Sequence, residues 1–261
     1  MRKGQVPQVT VRARPEGAVT AALLRENAIL RHLGAGDAER VLATARLIEM
    51  PPRYFIYWAG EMIDEVYFPI DSVLSIVTQM KGGEMIEVGT IGREGTSGIP
   101  LLMGGTTTAN DCYCQVPGLA IRIPATEFHK LKSEDSTFGA LLNRYLQAYV
   151  NFLGQLTACN RLHSVYERSA RWLLLSHDRV LKDDILLTHE YLAMMLGSRR
   201  SGVTIALATL QRAGFIHYAR GRITVLDRGG LEETTCECYA IAREQFGGFL
   251  HFADGTERRV D

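Results

Sequence analysis

Seven side chains in the last third of the chain could grip a polyanion. Arg199, Arg200, Ser201, Thr204 and Ile205 lie within seven residues, and Arg220 and Arg222 follow across a short gap. A guanidinium offers a planar fork of donors that matches phosphate oxygens or the O6/N7 edge of guanine. Serine and threonine hydroxyls pair with either base edge or backbone, and an isoleucine side chain can meet a thymine methyl. No carboxylate interrupts the first five. Between Thr188 and Arg228 the arginines are Arg199, Arg200, Arg212, Arg220, Arg222 and Arg228, opposed only by Glu190 and Asp227.

These residues need elements that present them together. Thr188 can cap a helix running through Leu196, with Leu192, Met195 and Leu196 inward. Gly197 supplies a sharp turn, because glycine takes positive φ without a Cβ penalty. A second helix follows from about 199 to 213, burying Val203, Leu207 and Leu210 at i, i+4 and i+7 and ending at Gly214. Phe215 to Ala219 and Arg222 to Leu226 read as strands joined at Arg220-Gly221. The order is helix-turn-helix, then β-wing. An ordinary helix pair with a solvated basic face would explain the arginines alone. Turn glycine, buried stripe, groove-facing arginines and basic wing in sequence favour a helix that enters a DNA major groove, with the wing on a phosphate backbone.

The chain has 261 residues, formal net charge +0, 46% hydrophobic and 22% charged residues, enough for two modest cores. Overall neutrality does not oppose nucleic-acid binding, since local charge decides it. No apolar run approaches the length of a membrane span and no signal peptide is visible, so a cytoplasmic location without membrane contact is expected. The sequence lacks a nucleophile elbow, a zinc-hydrolase helix, a P-loop and a Rossmann fingerprint, and its seven histidines are scattered, so no enzyme and no catalytic residue is expected.

Cys112, Cys114, Cys159, Cys236 and Cys238 are read as reduced thiols. The pairs Cys112-Tyr-Cys114 and Cys236-Glu-Cys238 do not have the spacing of a standard zinc ligand set. On a strand the first pair shares one face; on a helix the second diverges. No metal and no cofactor are expected.

From the N-terminus, residues 1–20 read as a flexible tail, polar and basic without a sustained period. Short helices are expected at Leu23 to Leu33 and Asp37 to Ala45, and seven short β-prone runs lie between Leu47 and Pro124. Such close spacing suggests an antiparallel barrel or jelly roll over 21–133. Between two of its strands, residues 92–111 form a glycine-rich loop that either cradles a small ligand or is simply a long turn.

Residues 134–162 hold the longest helical signal. Leu142, Tyr145, Tyr149, Phe152 and Leu156 recur in steps of three and four, a heptad seam that suits a homodimer; the same stripe would suit a core helix in a monomer. A break near Asn160 to Ser164 separates this helix from a DNA-binding domain over 163–246, which begins with an amphipathic helix and closes with a helix from Leu231 to Phe246. Residues 247–261 read as a loose end.

In that order, barrel, long helix and winged helix-turn-helix, the chain resembles the Crp/Fnr family of bacterial transcription regulators over about residues 28–240. ERSARWLLLSHDRV, LTHEYLAMMLGSRRSGVTIALATLQRAGFI and DRGGLE carry the likeness most specifically. The resemblance implies an α+β fold: an antiparallel jelly-roll sensor like a cyclic-nucleotide-binding domain, a dimerisation helix and a C-terminal winged helix. It also implies a homodimer on double-stranded DNA that works through RNA polymerase.

Carried onto this chain, the family's base-reading arginine falls on Arg200. The glutamate that often follows is Ser201, and a second arginine one turn on is Ile205, so the operator should differ from the common palindrome. Arg199 and Gly202 fall where backbone contacts are expected. In members that bind cyclic AMP, a Gly-Glu pair holds the ribose and an Arg-Ser or Arg-Thr pair the phosphate. Here the candidate effector pocket is Arg93, Glu94, Gly95 and Thr96 with Asn110 and Asp111, which puts Thr96 at the glutamate position and a carboxylate near the phosphate position. That pattern disfavours cyclic AMP and leaves room for an unidentified small-molecule effector, with Arg93 as a fallback phosphate ligand. The family's oxygen sensors use an N-terminal cysteine cluster, and no cysteine precedes Cys112. The competing expectation is a sensor whose output is a protein partner rather than DNA.

Overall fold

The computed structural model describes residues 14–132, 137–180 and 182–253. Strand β1 (Arg14–Ala18) leads into helix α1 (Ala21–Leu24), capped by Thr20, and then α2 (Ala35–Thr44). Seven strands follow: β2 (Arg46–Met50), β3 (Phe55–Tyr57), β4 (Glu65–Pro69), β5 (Val73–Gln79), β6 (Met85–Ile91), β7 (Asp111–Val116) and β8 (Gly118–Pro124). The short helix α3 (Ile99–Leu102) sits in the loop between β6 and β7, and α4 (Ala125–Leu131) follows β8.

The strands form two antiparallel four-stranded sheets, ordered β1-β2-β8-β4 and β3-β7-β5-β6. Of the barrel and jelly roll expected, the two-sheet jelly roll is the arrangement that forms. Part of the expected tail is structured, since β1 pairs with β2 from Arg14↔Glu49 to Ala18↔Arg46. Residues 1–13 lie outside the described residues.

Strand β5 runs VLSIV with every residue buried, without polar alternation. Its inward face fills the space between the sheets, and its outward face is covered by helices from the C-terminal half. Buried Asn27 ties the N-terminal helices to this body. Its Nδ2 donates to the Pro69 and Gly95 carbonyls, and its Oδ1 accepts from the amides of Ile29 and Leu30, so the group is fully satisfied. Cys112 and Cys114 share the buried face of β7 as expected, and burial pushes the Cys112 thiol up to about 12, which keeps it protonated.

Helix α5 (Thr137–Leu162) follows, then α6 (Val165–Val180), strand β9 (Asp184–Leu186), α7 (His189–Met195) and α8 (Arg200–Arg212). The wing strands are β10 (Ile216–Ala219) and β11 (Arg222–Val225), and β9 adds a third strand beside β11 that the sequence did not announce. Two further helices follow among the described residues, α9 (Arg228–Thr234) and α10 (Cys238–Ala253). A single helix from Leu231 to Phe246 is thus corrected to two, broken at 235–237, and the expected loose end is helical to Ala253. Residues 254–261 lie outside the described residues. Among the described residues, no helix is long and apolar enough to cross a membrane.

Helix α5 needs a correction of face. Leu142, Tyr145, Tyr149 and Phe152 are buried within this one chain, and Leu156 is half-buried. Tyr145 Oη donates to the Thr96 carbonyl, and the Phe152 ring lies 5.4 Å from that of Phe246 on α10. The heptad stripe is therefore the helix's contact with its own sensor and with α10. The exposed row is Asn143, Gln147, Val150, Gly154 and Arg161, which carries too little apolar surface to stand out in the sequence.

Candidate nucleic-acid interface

The helix-turn-helix forms as its residues dictate. The Thr188 hydroxyl accepts from the Tyr191 amide at the start of α7, and Arg168 on α6 donates to the Leu196 carbonyl at its end. Gly197 takes φ 55°, and a Cβ there would stand 2.6 Å from Ile86 Cδ1 on sensor strand β6. The left-handed turn calls for glycine, and a Cβ there would also push the end of the Ile86 side chain aside. Val203, Ala206, Leu207 and Leu210 bury the inner stripe of α8.

On the opposite face Arg199, Arg200, Ser201, Thr204 and Ile205 are exposed, and Gly202 is half-exposed between them. Ile205 is 67% exposed on the same face. The wing turns at Arg220 (φ 51°) and Gly221 (φ 75°), the paired positive angles of a tight two-residue hairpin, with Ala219 opposite Arg222. All seven predicted contact side chains thus reach solvent on one domain.

Three neighbours adjust this surface. Arg200 Nη1 lies 3.1 Å from Glu190 Oε1, both mostly exposed, and Arg222 Nη1 lies 2.9 Å from Asp184 Oδ2. His189 Nδ1 lies 2.9 Å from Thr204 Oγ1, and its ring stacks 4.4 Å from that of Tyr218. Burial, reinforced by the Arg200 charge, holds the His189 imidazole below its ordinary pKa and favours the neutral ring. His189 and Asp184 were not legible as site residues, because one opens the first helix, outside the basic stretch, and the other lies on the unannounced strand β9.

The candidate effector residues are not drawn onto one ligand. Glu94 forms a buried ion pair with Arg179 of α6, 2.7 Å apart, with side chains 13% and 5% exposed. Arg179 Nη1 also donates to Thr90 Oγ1 at 2.5 Å. Arg93 lies at the surface, 3.4 Å from Glu26. Gly95 packs against the Tyr145 ring, and Thr96 is fully buried with its hydroxyl turned to the carbonyls of Tyr67 and Ser97. Asn110 Oδ1 accepts from Thr78, and Asp111 Oδ1 accepts from the Ala59 amide, so these two engage other parts of the sheet.

At one place the structure brings together potential ligands that the sequence did not connect. Cys236 precedes α10 and only Cys238 is helical, so the pair converges, and Cys159 and His163 at the foot of α5 meet it with all ligand atoms within 4.8 Å. Spacing within either pair could not reveal this, because 77 residues separate Cys159 from Cys236.

Residues 167–234 match the family model of the Crp-like helix-turn-helix domain. FixK2 from Bradyrhizobium japonicum has a similar structure, at 15% identity and a TM-score of 0.62, covering 74% of this chain and 98% of that one. A CRP-family transcriptional regulator from Thermus thermophilus is similar at 21% identity and a TM-score of 0.60, covering 71% and 95%. CLP of Xanthomonas campestris, described as a c-di-GMP-responsive global regulator, is similar at 17% identity and a TM-score of 0.56, covering 74% and 99%. A search of curated protein sequences gives no significant match. Residues 167–234 thus match the Crp-like helix-turn-helix domain, and over 71–74% of its length the chain shares the fold of these solved regulators.

Proposed function

We propose that this protein is a homodimeric, sequence-specific transcription regulator that places α8 in the major groove of double-stranded DNA and works through RNA polymerase. The observation that carries this reading is the exposed face of α8, where Arg199, Arg200, Ser201, Thr204 and Ile205 stand clear of the core with no carboxylate among them. Arg200 is 65% exposed, and its one acidic neighbour, Glu190, is a solvent-screened partner that a guanine edge can displace. Arg220 and Arg222 at the wing tip meet the flanking phosphates. Two copies cover two half-sites, joined through the exposed row of α5. The sensor does not take cyclic AMP: Glu94 is consumed by Arg179, Thr96 is buried, and Asp111 is committed to the Ala59 amide.

Selection from a random duplex pool by the purified protein tests this. Enrichment of a palindrome with half-sites about one helical turn apart is expected, roughly 34 Å. Arg200→Ala should weaken that site by about 1–3 kcal/mol and relax one base per half-site. Specific binding undiminished in the variant would remove Arg200 from its role. No enrichment at low salt, with or without a metabolite extract, would favour a protein partner as the output.

A further inference from the structure

Four side chains from opposite ends of the C-terminal half meet at the foot of α5. Cys159 and His163 are four residues apart, so they lie on one side of the helix end. Cys236 and Cys238 arrive from the start of α10. Cys159 Sγ lies 3.5 Å from Cys236 Sγ, and Cys238 Sγ lies 3.5 Å from His163 Nδ1. All four ligand atoms fall within 4.8 Å of one another. A tetrahedral zinc centre with bonds of about 2.3 Å to sulfur separates its sulfur ligands by about 3.8 Å, so the observed set, with two contacts at 3.5 Å and none beyond 4.8 Å, needs only small adjustments. The three cysteines are buried and the histidine nearly so.

The surroundings suit an ion. His163 Nε2 lies 3.2 Å from Glu237 Oε2, the carboxylate of the residue between the two cysteines. That contact places the ring proton on Nε2 and turns the Nδ1 lone pair toward the sulfurs, the usual support for a metal-bound imidazole. Gln155 Nε2 donates to Cys238 Sγ at 3.0 Å. Buried Arg168 and Arg171 on α6 are within electrostatic reach of Cys159 and Cys236, and both leave Nε without a protein acceptor. Three thiolates around a divalent ion carry one net negative charge, which these guanidiniums would offset.

We propose that Cys159, His163, Cys236 and Cys238 form a closed mononuclear Cys3His zinc site that fastens α10 to the end of α5. Binding deprotonates three thiols, so each ion taken up releases up to three protons, and no electron is transferred. With four protein ligands no position is left for water, so the site is structural rather than catalytic. A two-iron cluster would need its ligand pairs spread further apart than this set. The site stands independently of the DNA-binding proposal, which concerns the other end of the domain.

Metal analysis of the reduced, full-length protein tests the assignment. About one zinc per chain is expected, and cobalt substitution should give the intense visible and thiolate charge-transfer bands of a tetrahedral sulfur-rich centre. Cys236→Ser and Cys238→Ser should lose the ion, whereas Cys112→Ser should retain it. Glu237→Gln changes an exposed side chain that does not threaten folding, and it should weaken zinc roughly 10- to 100-fold in chelator competition. Less than about a tenth of an ion per chain after reconstitution with zinc or cobalt, under reducing conditions, would overturn the site. Iron with acid-labile sulfide would overturn the zinc assignment. Unchanged zinc in the Cys236→Ser, Cys238→Ser double variant would show that the metal sits elsewhere.

Discussion

Trp172 Nε1, on the first helix of the C-terminal domain, donates to Glu87 Oε1 on sensor strand β6 at 3.2 Å. The other carboxylate oxygen accepts from Ser75 Oγ at 2.7 Å and Gln115 Nε2 at 3.0 Å. Burial pushes Glu87 up to about 7, while the bonds from Ser75 and Trp172 and the charges of Arg179 and Arg171 pull the other way. Tyr113, Tyr149 and Tyr191 also face it.

The pH dependence follows from that direction. A carboxyl whose folded pKa lies above its unfolded value binds its proton more tightly when folded. Its contribution is therefore complete below the ordinary carboxylate range and is lost as pH rises through about 7. Thermal melting should show stability falling between about pH 5 and pH 8, by on the order of 3 kcal/mol at most. Glu87→Gln should flatten the profile; an equally steep profile in that variant would place the titration elsewhere.

The Glu94–Arg179 pair binds the loop after β6 to α6. Arg179→Met leaves the Glu94 carboxylate enclosed without its cation, and a loss of about 3–5 kcal/mol is expected in denaturant unfolding. The double variant Glu94→Gln, Arg179→Met should recover part of that loss. Additive effects would mean that the two side chains do not act as a pair.

The two faces of α5 should respond differently. Phe152→Ala opens a cavity in the chain's own core and should cost about 3–5 kcal/mol. Val150, 55% exposed, is on the row assigned to the partner copy. Val150→Glu should leave the fold intact and convert dimer to monomer in sedimentation velocity. A variant that stays dimeric would move the interface off this row.

Gly197→Ala should destabilise by about 1–2 kcal/mol from the left-handed backbone alone, with an added cost from Ile86. Removing the Ile86 side chain as well should return the added cost but not the backbone part. A double-mutant cycle with no coupling would show that the helix-turn-helix does not press on β6.

Much of this was legible because local patterns and tertiary roles agree. The α8 stripe at Val203, Leu207 and Leu210, the cap at Thr188 and the turn at Gly197 are local signals, and each forms where the residues placed it. What stayed hidden was decided at a distance. Strand β9 is three residues long and exists because β11 offers it an edge. The stripe of α5 was plain, yet period alone cannot say whether its own chain or a second copy covers it. Cys159 and His163 gave no signal until the chain returned 77 residues later with Cys236.

Met195 of α7 lies beneath the Ser75 hydroxyl, 3.5 Å away, and near the Tyr113 hydroxyl, while Tyr191 stacks edge-on to Tyr113. The segment that looks like a portable module is thus roofed by the sensor's sheet. A fragment excised at Ser164 would leave Trp172, Tyr191 and Met195 facing water, along with one side of the Gly197 turn. Grafting this module onto another sensor would have to recreate that roof, residue for residue, before its arginines could be aimed at anything.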